Sequence, residues 1–425
     1  MKKVFALILA GGRVDELSVL TLSRPKSALP FGGMYRVIDF PLSNLMHSNI
    51  ERVGILSQYR SYALLNHIGV GAWWDFVGRR RGVKMLLPSI GHKLGEWYKG
   101  TADAVYQNLE FVAEQKPETV MVLSGDHIYK MDYGPLMQYH RDKDADLTIV
   151  LGKIKPEESH RFGVAELQCG PDEPGAELLD YKEKPVTGDF EWASLTIYVF
   201  KADVLAEVLT RNAELATSYE FGRDIIPAML GSYNVHGYKF DGYWGYSRTV
   251  DEFWRTNMDL LGPEPKIDLD AWQIRTNLDH DKLRDRPPAR IAQTAQIENS
   301  YIYNGCEILG KVENSILFPG VKVAAGAHVS DSILFFDCVV EEQAKLDHTI
   351  ADFDVSVGTG CVVGEGEEAI PNKDYPTLLR SGLNLLGKGV CLPPDTTLER
   401  NCIVAPALKK NDFDKKYYES GTTVL

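Results

Sequence analysis

Two glycines, a lysine, an aspartate and a glutamate–lysine pair are the residues whose types and spacing could do chemistry. The stretch FALILAGGRVDELSVLTLSRPKSALPFGG, from Phe5 to Gly33, runs an apolar strand into Gly11-Gly12. Neither glycine carries a side chain, so the backbone there can come close to a nucleotide. The pattern is neither G-x-x-x-x-G-K-[ST] nor G-x-G-x-x-G. Lys26, in Arg24-Pro25-Lys26-Ser27, is a mobile point charge that can follow negative charge onto a leaving phosphate. Asp126 follows the apolar run TVMVLSGD, where a carboxylate at a strand's carboxyl end can hold Mg²⁺ against phosphate oxygens. His127 beside it reads as structural.

Two further stretches add to these. EWYKGTADAVYQN supplies Tyr98 and then Gly100-Thr101 at an expected helix N-terminus, whose N–H groups favour an anion or a base edge. DYKEKPV sets Glu183 beside Lys184, a carboxylate for sugar hydroxyls and an ammonium for a phosphate. One feature runs against this chemistry. Val14-Asp15-Glu16 places two carboxylates in the loop that would face a polyanion.

The elements that must position these residues divide into two kinds. Up to about Leu261, short β-rich runs alternate with helical patterns: VFALILA, ERVGILS, TVMVLSGD, LTIVLGKI and SLTIYVF read as strands, and PLSNLMHSN and TADAVYQNLEFVAEQ as helices. This is βαβ grammar, which predicts an α/β sheet with ligands at the carboxyl ends of its strands. Residues 262–290 are rich in proline and charge and suit a connection. Beyond them IENSYIY, VENSILF, VSDSILF and LDHTIAD start at Ile297, Val312, Val329 and Leu346, 15, 17 and 17 residues apart. One branched apolar residue per hexad at this period predicts a parallel β-helix, left-handed or right-handed, with a β-sandwich as the alternative. GLNLLGKGVCLPPDTTLERNCIVAP, from Gly382, reads as a further coil after an interruption.

Bulk properties bound the function. At 425 residues the chain suggests two domains, and its 44% hydrophobic and 25% charged residues are those of a globular protein. The formal net charge of -13 argues against a nucleic-acid partner. No apolar run is long enough to span a bilayer. Met1-Lys2-Lys3 and the apolar run after it lack a small-residue cleavage site, so a buried first strand is expected rather than a signal peptide. Cys169, Cys306, Cys338, Cys361, Cys391 and Cys402 form no C-x-x-C pair, and free thiols in a reducing cytoplasm are expected.

Taken together, LILAGG, RPKSALPFGG, YRVIDFPLSN, GILSQYRS, WYKGTADAVYQN, LSGDHIYKMDY, RFGVAEL, EKP, WASLTIYVF and EFGRDIIP resemble the ADP-glucose pyrophosphorylase (glucose-1-phosphate adenylyltransferase) branch of the sugar-nucleotide pyrophosphorylases. The resemblance covers nearly the whole chain. It implies a Rossmann-like α/β nucleotidyltransferase domain (GT-A-like) over residues 1–261, a linker over 262–290 and a left-handed parallel β-helix over 291–425. It implies Lys26, Asp126 and Lys184 as catalytic, with Asp126 holding Mg²⁺. Gly11, Gly12, Gln58, Gly100 and Thr101 would face the nucleotide, ATP. Tyr98, Gly163, Glu183, Lys184 and Ser194 would form the glucose 1-phosphate pocket. A cytoplasmic homotetramer, with or without a paralogous subunit, is the implied form.

The chain departs from that pattern at named positions. The usual loop reads G-G-x-G-x-R-L, and here Val14 stands for the glycine and Glu16 for the arginine. The usual W-x-D-V-G-T has Tyr246 in place of the metal-binding aspartate and Arg248 in place of the glycine, and Thr196 stands where glycine is common. Two accounts follow. Either catalysis is lost and a regulatory or scaffolding subunit remains, or the site is rebuilt, with Arg248 replacing the lost arginine and Asp15, Glu16 or Asp241 contributing to the metal. A pyrophosphorylase for another nucleotide-sugar is the third possibility.

Overall fold

The computed structural model describes residues 3–12, 14–88, 97–167, 170, 173–186, 188 and 190–425. It contains two compact units: Met1–Gly12, Ile38–Ser61 and Ile68–Trp244 form the first, and Arg13–Val37, Tyr62–His67 and Gly245–Leu425 the second.

The first unit is built on a nine-stranded mixed sheet. Its strands are β1 (Val4–Leu9), β2 (Arg52–Leu56), β3 (Gly82–Leu86), β4 (Thr119–Ser124), β5 (Leu147–Lys153), β6 (Gly163–Leu167), β7 (Gly175–Glu183), β8 (Trp192–Lys201) and β9 (Val235–Phe240), in the order β3-β2-β1-β4-β8-β5-β9-β7-β6. Each strand expected from the sequence is present. β1 is apolar throughout because it lies inside the sheet and is covered on both faces: Leu7 is opposite Gly54 of β2 and Val122 of β4, in parallel pairings. Phe5, Leu7, Val120, Val122, Ile149, Tyr198 and Phe200 form the core of one face.

β2 and β3 lie on one side of β1 and β4 on the other, so the order reverses between β1 and β4. Such a switch point opens a crevice at the strands' carboxyl ends. There the chain presents Gly11-Gly12 after β1, Ser57-Gln58 after β2 and Gly125-Asp126 after β4.

PLSNLMHSN forms α1 (Asp39–His47). TADAVYQNLEFVAEQ, expected as one helix, is two: α2 (Thr101–Tyr106) and α3 (Leu109–Glu114). Asn108 breaks the run with φ -110° and ψ 10°, and its side-chain amide donates to the carbonyl of Ala104 at 2.8 Å. An asparagine that bonds the backbone in this way competes with the helix.

In the second unit, three parallel sheets of six, seven and seven strands form a β-helix, which rules out the sandwich. The four repeat starts stack in register, Ile297 on Val312, Val312 on Val329 and Val329 on Leu346. The run from Gly382 resumes the stack, with Ile350 opposite Leu385. Cys306, Cys338, Cys361 and Cys402 are buried free thiols inside the coils, and Cys391 is half-buried; Cys169 lies outside the described residues. The segment before the β-helix includes α4 (Val250–Met258), whose start is fixed by a capping box between Thr249 and Glu252. Residues Pro30–Phe31 and Tyr35–Arg36 pair as a short hairpin. Its turn needs Gly33, at φ +97°, where a side chain would run into the Tyr303 ring.

One buried group in the first unit gives the fold a measurable pH response. His140 is 3% exposed and its Nδ1 lies 2.8 Å from Thr148 Oγ1. Burial, with Lys201 and Arg141 nearby, lowers its pKa to about 4. The unfolded chain binds a proton at this position near pH 6.5, whereas the folded chain resists it until about pH 4. His140 therefore stabilises the fold fully above pH 6.5, and that contribution, up to about 3 kcal/mol, is lost as pH falls toward 4. Urea midpoints measured from pH 7 to 4 are expected to fall less steeply in His140→Gln than in the parent protein.

Candidate active site

In the first unit, the end of β1 is pressed against the end of β2. A Cβ on Gly11 would lie 2.8 Å from the Gln58 nitrogen and 2.9 Å from the Ser57 Cα, so only glycine fits. Gly12, by contrast, has open space where a side chain would be. The Gln58 side chain turns to Tyr98, accepting from its backbone N–H at 2.8 Å. Tyr98 is buried, donates through its hydroxyl to the Leu86 carbonyl and accepts from Asn108. Gly11, Gln58 and Tyr98 thus form one connected wall.

Gly100 and Thr101 open α2 against a neighbouring loop. A side chain at Gly100 would meet the Tyr219 carbonyl at 2.3 Å. Thr101 donates to the Glu220 carboxylate through both its N–H and its hydroxyl, and that hydroxyl accepts from the Phe221 N–H at 3.2 Å. The Ala102 N–H donates to the Tyr219 carbonyl. The amides of this first turn are therefore engaged within the protein.

Glu183 is a half-buried carboxylate with close neighbours on several sides. It ends β7 opposite Gly163 of β6. A Cβ on Gly163 would stand 2.6 Å from Glu183 Oε2, and a Cβ on Gly222 would stand 2.2 Å from the same atom. The Tyr181 hydroxyl lies 3.5 Å from it. Burial raises the Glu183 pKa, opposed by the charges of Lys184 and Arg223. Lys184 adopts a left-handed φ of +50° and donates its N–H to the Phe162 carbonyl. Non-glycine residues in that region carry strain and cluster at functional sites. On β8, Ser194 donates to the Tyr198 hydroxyl at 3.4 Å, and burial pushes the Tyr198 pKa up to about 12.

Tyr181, Tyr198, Glu220 and Gly222 were not singled out from the sequence, yet each lies in these contacts. One signal was available: Tyr181 precedes Glu183 by two residues on a strand and so shares its face.

Asp126 follows β4, whose end is held to β1 by the Gly125 N–H donating to the Leu9 carbonyl at 2.9 Å. Ser124 donates its hydroxyl to Asp126 Oδ1, and His127 Nε2 lies 3.5 Å from the same oxygen. His127 is packed edge-on against Trp244, in keeping with a structural role. The Asp126 side chain is 28% exposed. Among the described residues no group of three or more His, Cys, Asp or Glu gathers as a complete metal cage. A single backed carboxylate fits a hard divalent cation that keeps most of its waters and shares the phosphates of its nucleotide.

In the second unit, four of the singled-out residues meet. Glu16 Oε1 accepts from Arg248 Nε at 3.0 Å, and Arg248 Nη2 lies 3.0 Å from the same oxygen. Arg248 Nη1 donates to the Tyr246 hydroxyl at 3.3 Å. Lys26, only 1% exposed, places Nζ 5.4 Å from the centre of the Tyr246 ring. The carboxylate that seemed misplaced in a polyanion loop is therefore matched by a guanidinium 232 positions further on.

Comparison with known proteins gives the class first. Residues 5–262 match the family model described as Nucleotidyl transferase, and residues 287–381 match GlmU-like, C-terminal hexapeptide, which identifies the β-helix as the left-handed hexapeptide type. Proteins named glucose-1-phosphate adenylyltransferase are similar over the whole chain. That of Acetivibrio thermocellus is 37% identical over 428 residues, covering 100% of this chain and 98% of its own. Those of Thermomicrobium roseum and Pseudothermotoga lettingae are 40% and 39% identical over 429 residues, covering 100% of this chain and 98% and 99% of their own. The chain belongs to the glucose-1-phosphate adenylyltransferase family of nucleotidyl transferases. Members of the wider class generally use a divalent metal, and no helix of the described residues is long and apolar enough to cross a membrane.

One departure from the family pattern has a local cost. Thr196 has φ +53°, inside a register shift of β8 between Ser194 and Tyr198. A β-branched residue in the left-handed region is strained by roughly 1–2 kcal/mol, which glycine avoids. Thr196→Gly is expected to raise unfolding stability by about 1 kcal/mol, read from urea denaturation, unlike glycine substitution at other strand positions.

Proposed function

We propose that this chain transfers the adenylyl group of ATP to glucose 1-phosphate, releasing pyrophosphate and forming ADP-glucose for storage α-glucan synthesis. The observation that carries this reading is Glu183: a half-buried carboxylate set between Gly163 and Gly222, next to Lys184, has the donor set for a sugar phosphate. The names of its whole-chain relatives support the same reaction. The family-model matches support domains over 1–261 and 291–425 with a linker over 262–290. A cytoplasmic homotetramer is the proposed assembly.

In this mechanism a phosphate oxygen of glucose 1-phosphate attacks the α-phosphorus of ATP in line. The new P–O bond forms as the bond to the bridging oxygen of the β-phosphate breaks, and pyrophosphate leaves with the electron pair. The protein's work is positioning and charge neutralisation. Glu183 accepts from sugar hydroxyls, and Lys184 and Ser194 hold the sugar phosphate. Gly163 keeps room for the ring, and Tyr98 closes the wall. Gly11 and Gly12 let the nucleotide approach the end of β1, with Gln58, Gly100 and Thr101 shaping its surroundings. Lys26 neutralises phosphate charge. Asp126 would hold Mg²⁺, which when bound polarises the phosphoryl oxygens.

Pyrophosphate release is expected with glucose 1-phosphate and ATP, and not with UTP, GTP or dTTP. Asp126→Asn should lower the rate at least about a hundredfold. Turnover with another nucleotide alone would instead assign a different nucleotide-sugar. Silence with all four, with glucose 1-phosphate still bound in calorimetry, would mark a non-catalytic subunit.

A further inference from the structure

Three of the positions at which this chain departs from the expected family pattern are in mutual contact. Glu16, Tyr246 and Arg248 form one group, and Lys26 sits over the same tyrosine ring. We propose that Arg248 is a phosphate-binding residue of this protein, positioned by Glu16 and Tyr246 to act with Lys26 on the pyrophosphate portion of the nucleotide. This rests on the adenylyl-transfer reading above.

The chemistry of the cluster favours an anion site over a simple brace. A surface ion pair between half-exposed side chains contributes about 1 kcal/mol or less to stability. Arg248 and Glu16 are such a pair, with side chains 40% and 33% exposed. A carboxylate in a phosphate-binding loop would repel the ligand by roughly 4 kcal/mol at 4 Å in an effective dielectric near 20. Stability alone does not account for that burden.

Positioning does. Guanidinium presents five N–H groups in a rigid plane. Glu16 takes the Nε and Nη2 edge, and Tyr246 takes one position on Nη1. Both partners fix the plane, and N–H groups of the half-exposed fork stay available to a phosphate. The backbone N–H of Arg248 is anchored on Glu252 at 3.0 Å, at the capped start of α4, so the residue extends from a fixed point. Burial works against the charge of Arg248, but Tyr246 and Glu16 more than offset it, so the guanidinium stays cationic. The Glu16 carboxylate aligns the cation, and the cation screens the carboxylate.

The test uses the full-length protein and inorganic pyrophosphate as the probe. Arg248→Ala is expected to weaken pyrophosphate binding in calorimetry about tenfold or more, the loss of a charged hydrogen bond. The KM for pyrophosphate in the reverse reaction should rise in parallel, and the KM for glucose 1-phosphate should not. Arg248→Lys should recover part of the affinity. The double variant Glu16→Gln with Arg248→Ala should bind pyrophosphate better than Arg248→Ala alone, since the uncompensated anion is gone. Unaltered urea midpoints would exclude misfolding as the cause. If Arg248→Ala binds pyrophosphate as well as the parent protein does, the proposal is overturned and the pair is a brace. The two readings separate cleanly: a parent protein that makes ADP-glucose while Arg248→Ala is unaffected overturns only this inference. A parent protein that turns over nothing, yet loses pyrophosphate affinity in Arg248→Ala, overturns only the catalytic reading.

Discussion

A half-buried carboxylate held between two glycines is the constraint on which the proposed sugar-phosphate pocket depends. Gly163 and Gly222 both lie close to Oε2, so a side chain at either position would push the Glu183 carboxylate out of its present place. The carboxylate cannot be left without compensation, because burial already works against its charge. Compensation comes from the Tyr181 hydroxyl at 3.5 Å and the charges of Lys184 and Arg223, against the repulsion of Glu220. The β6–β7 pairing fixes Glu183 opposite Gly163, and the left-handed backbone of Lys184 turns the chain immediately after it. Local geometry that would be costly elsewhere is held here by the sheet.

A carboxylate at one position can be offset by a cation at another. Glu16 and Arg248 illustrate this, since each stands where the family pattern has something different and the two are 3.0 Å apart. Tyr246 serves as a hydrogen-bond acceptor for Arg248 and as a ring beneath Lys26. Glu16, Tyr246 and Arg248 are therefore connected by contact. Thr196 is different, because it is strained in place and nothing in the structure explains why glycine was given up there.

Much of this was legible in the residues. The β-helix could be read from a period, because each coil needs one branched apolar residue at the same place, and Ile297, Val312, Val329 and Leu346 stack accordingly. Strands such as Val4–Leu9 could be read from unbroken apolar runs. What escaped was set by the partners that side chains find, nearby or distant. Asn108 divides a run with good helical spacing, because its side chain finds a backbone partner. Gly222 and Glu220 matter through partners far away in sequence, Glu183 and Thr101. A left-handed φ at Thr196 has no local signature, since its side chain argues against it. The loss of a cation at position 16 and its gain at 248 could be noticed together in the sequence, but the ion pair joining them could not.

In the proposed reaction the protein supplies positioning and neutralisation, and the phosphorus chemistry occurs between the two substrates directly. Stereochemistry at the α-phosphorus tests that claim most directly. ATP made chiral there by sulfur substitution would be converted with glucose 1-phosphate, and the configuration of the ADP-glucose analogue determined. Inversion is the predicted result, because a single in-line displacement turns the centre over once. Retention would contradict the account, since it requires two displacements and a nucleotide held covalently on a side chain that this reading gives no such role.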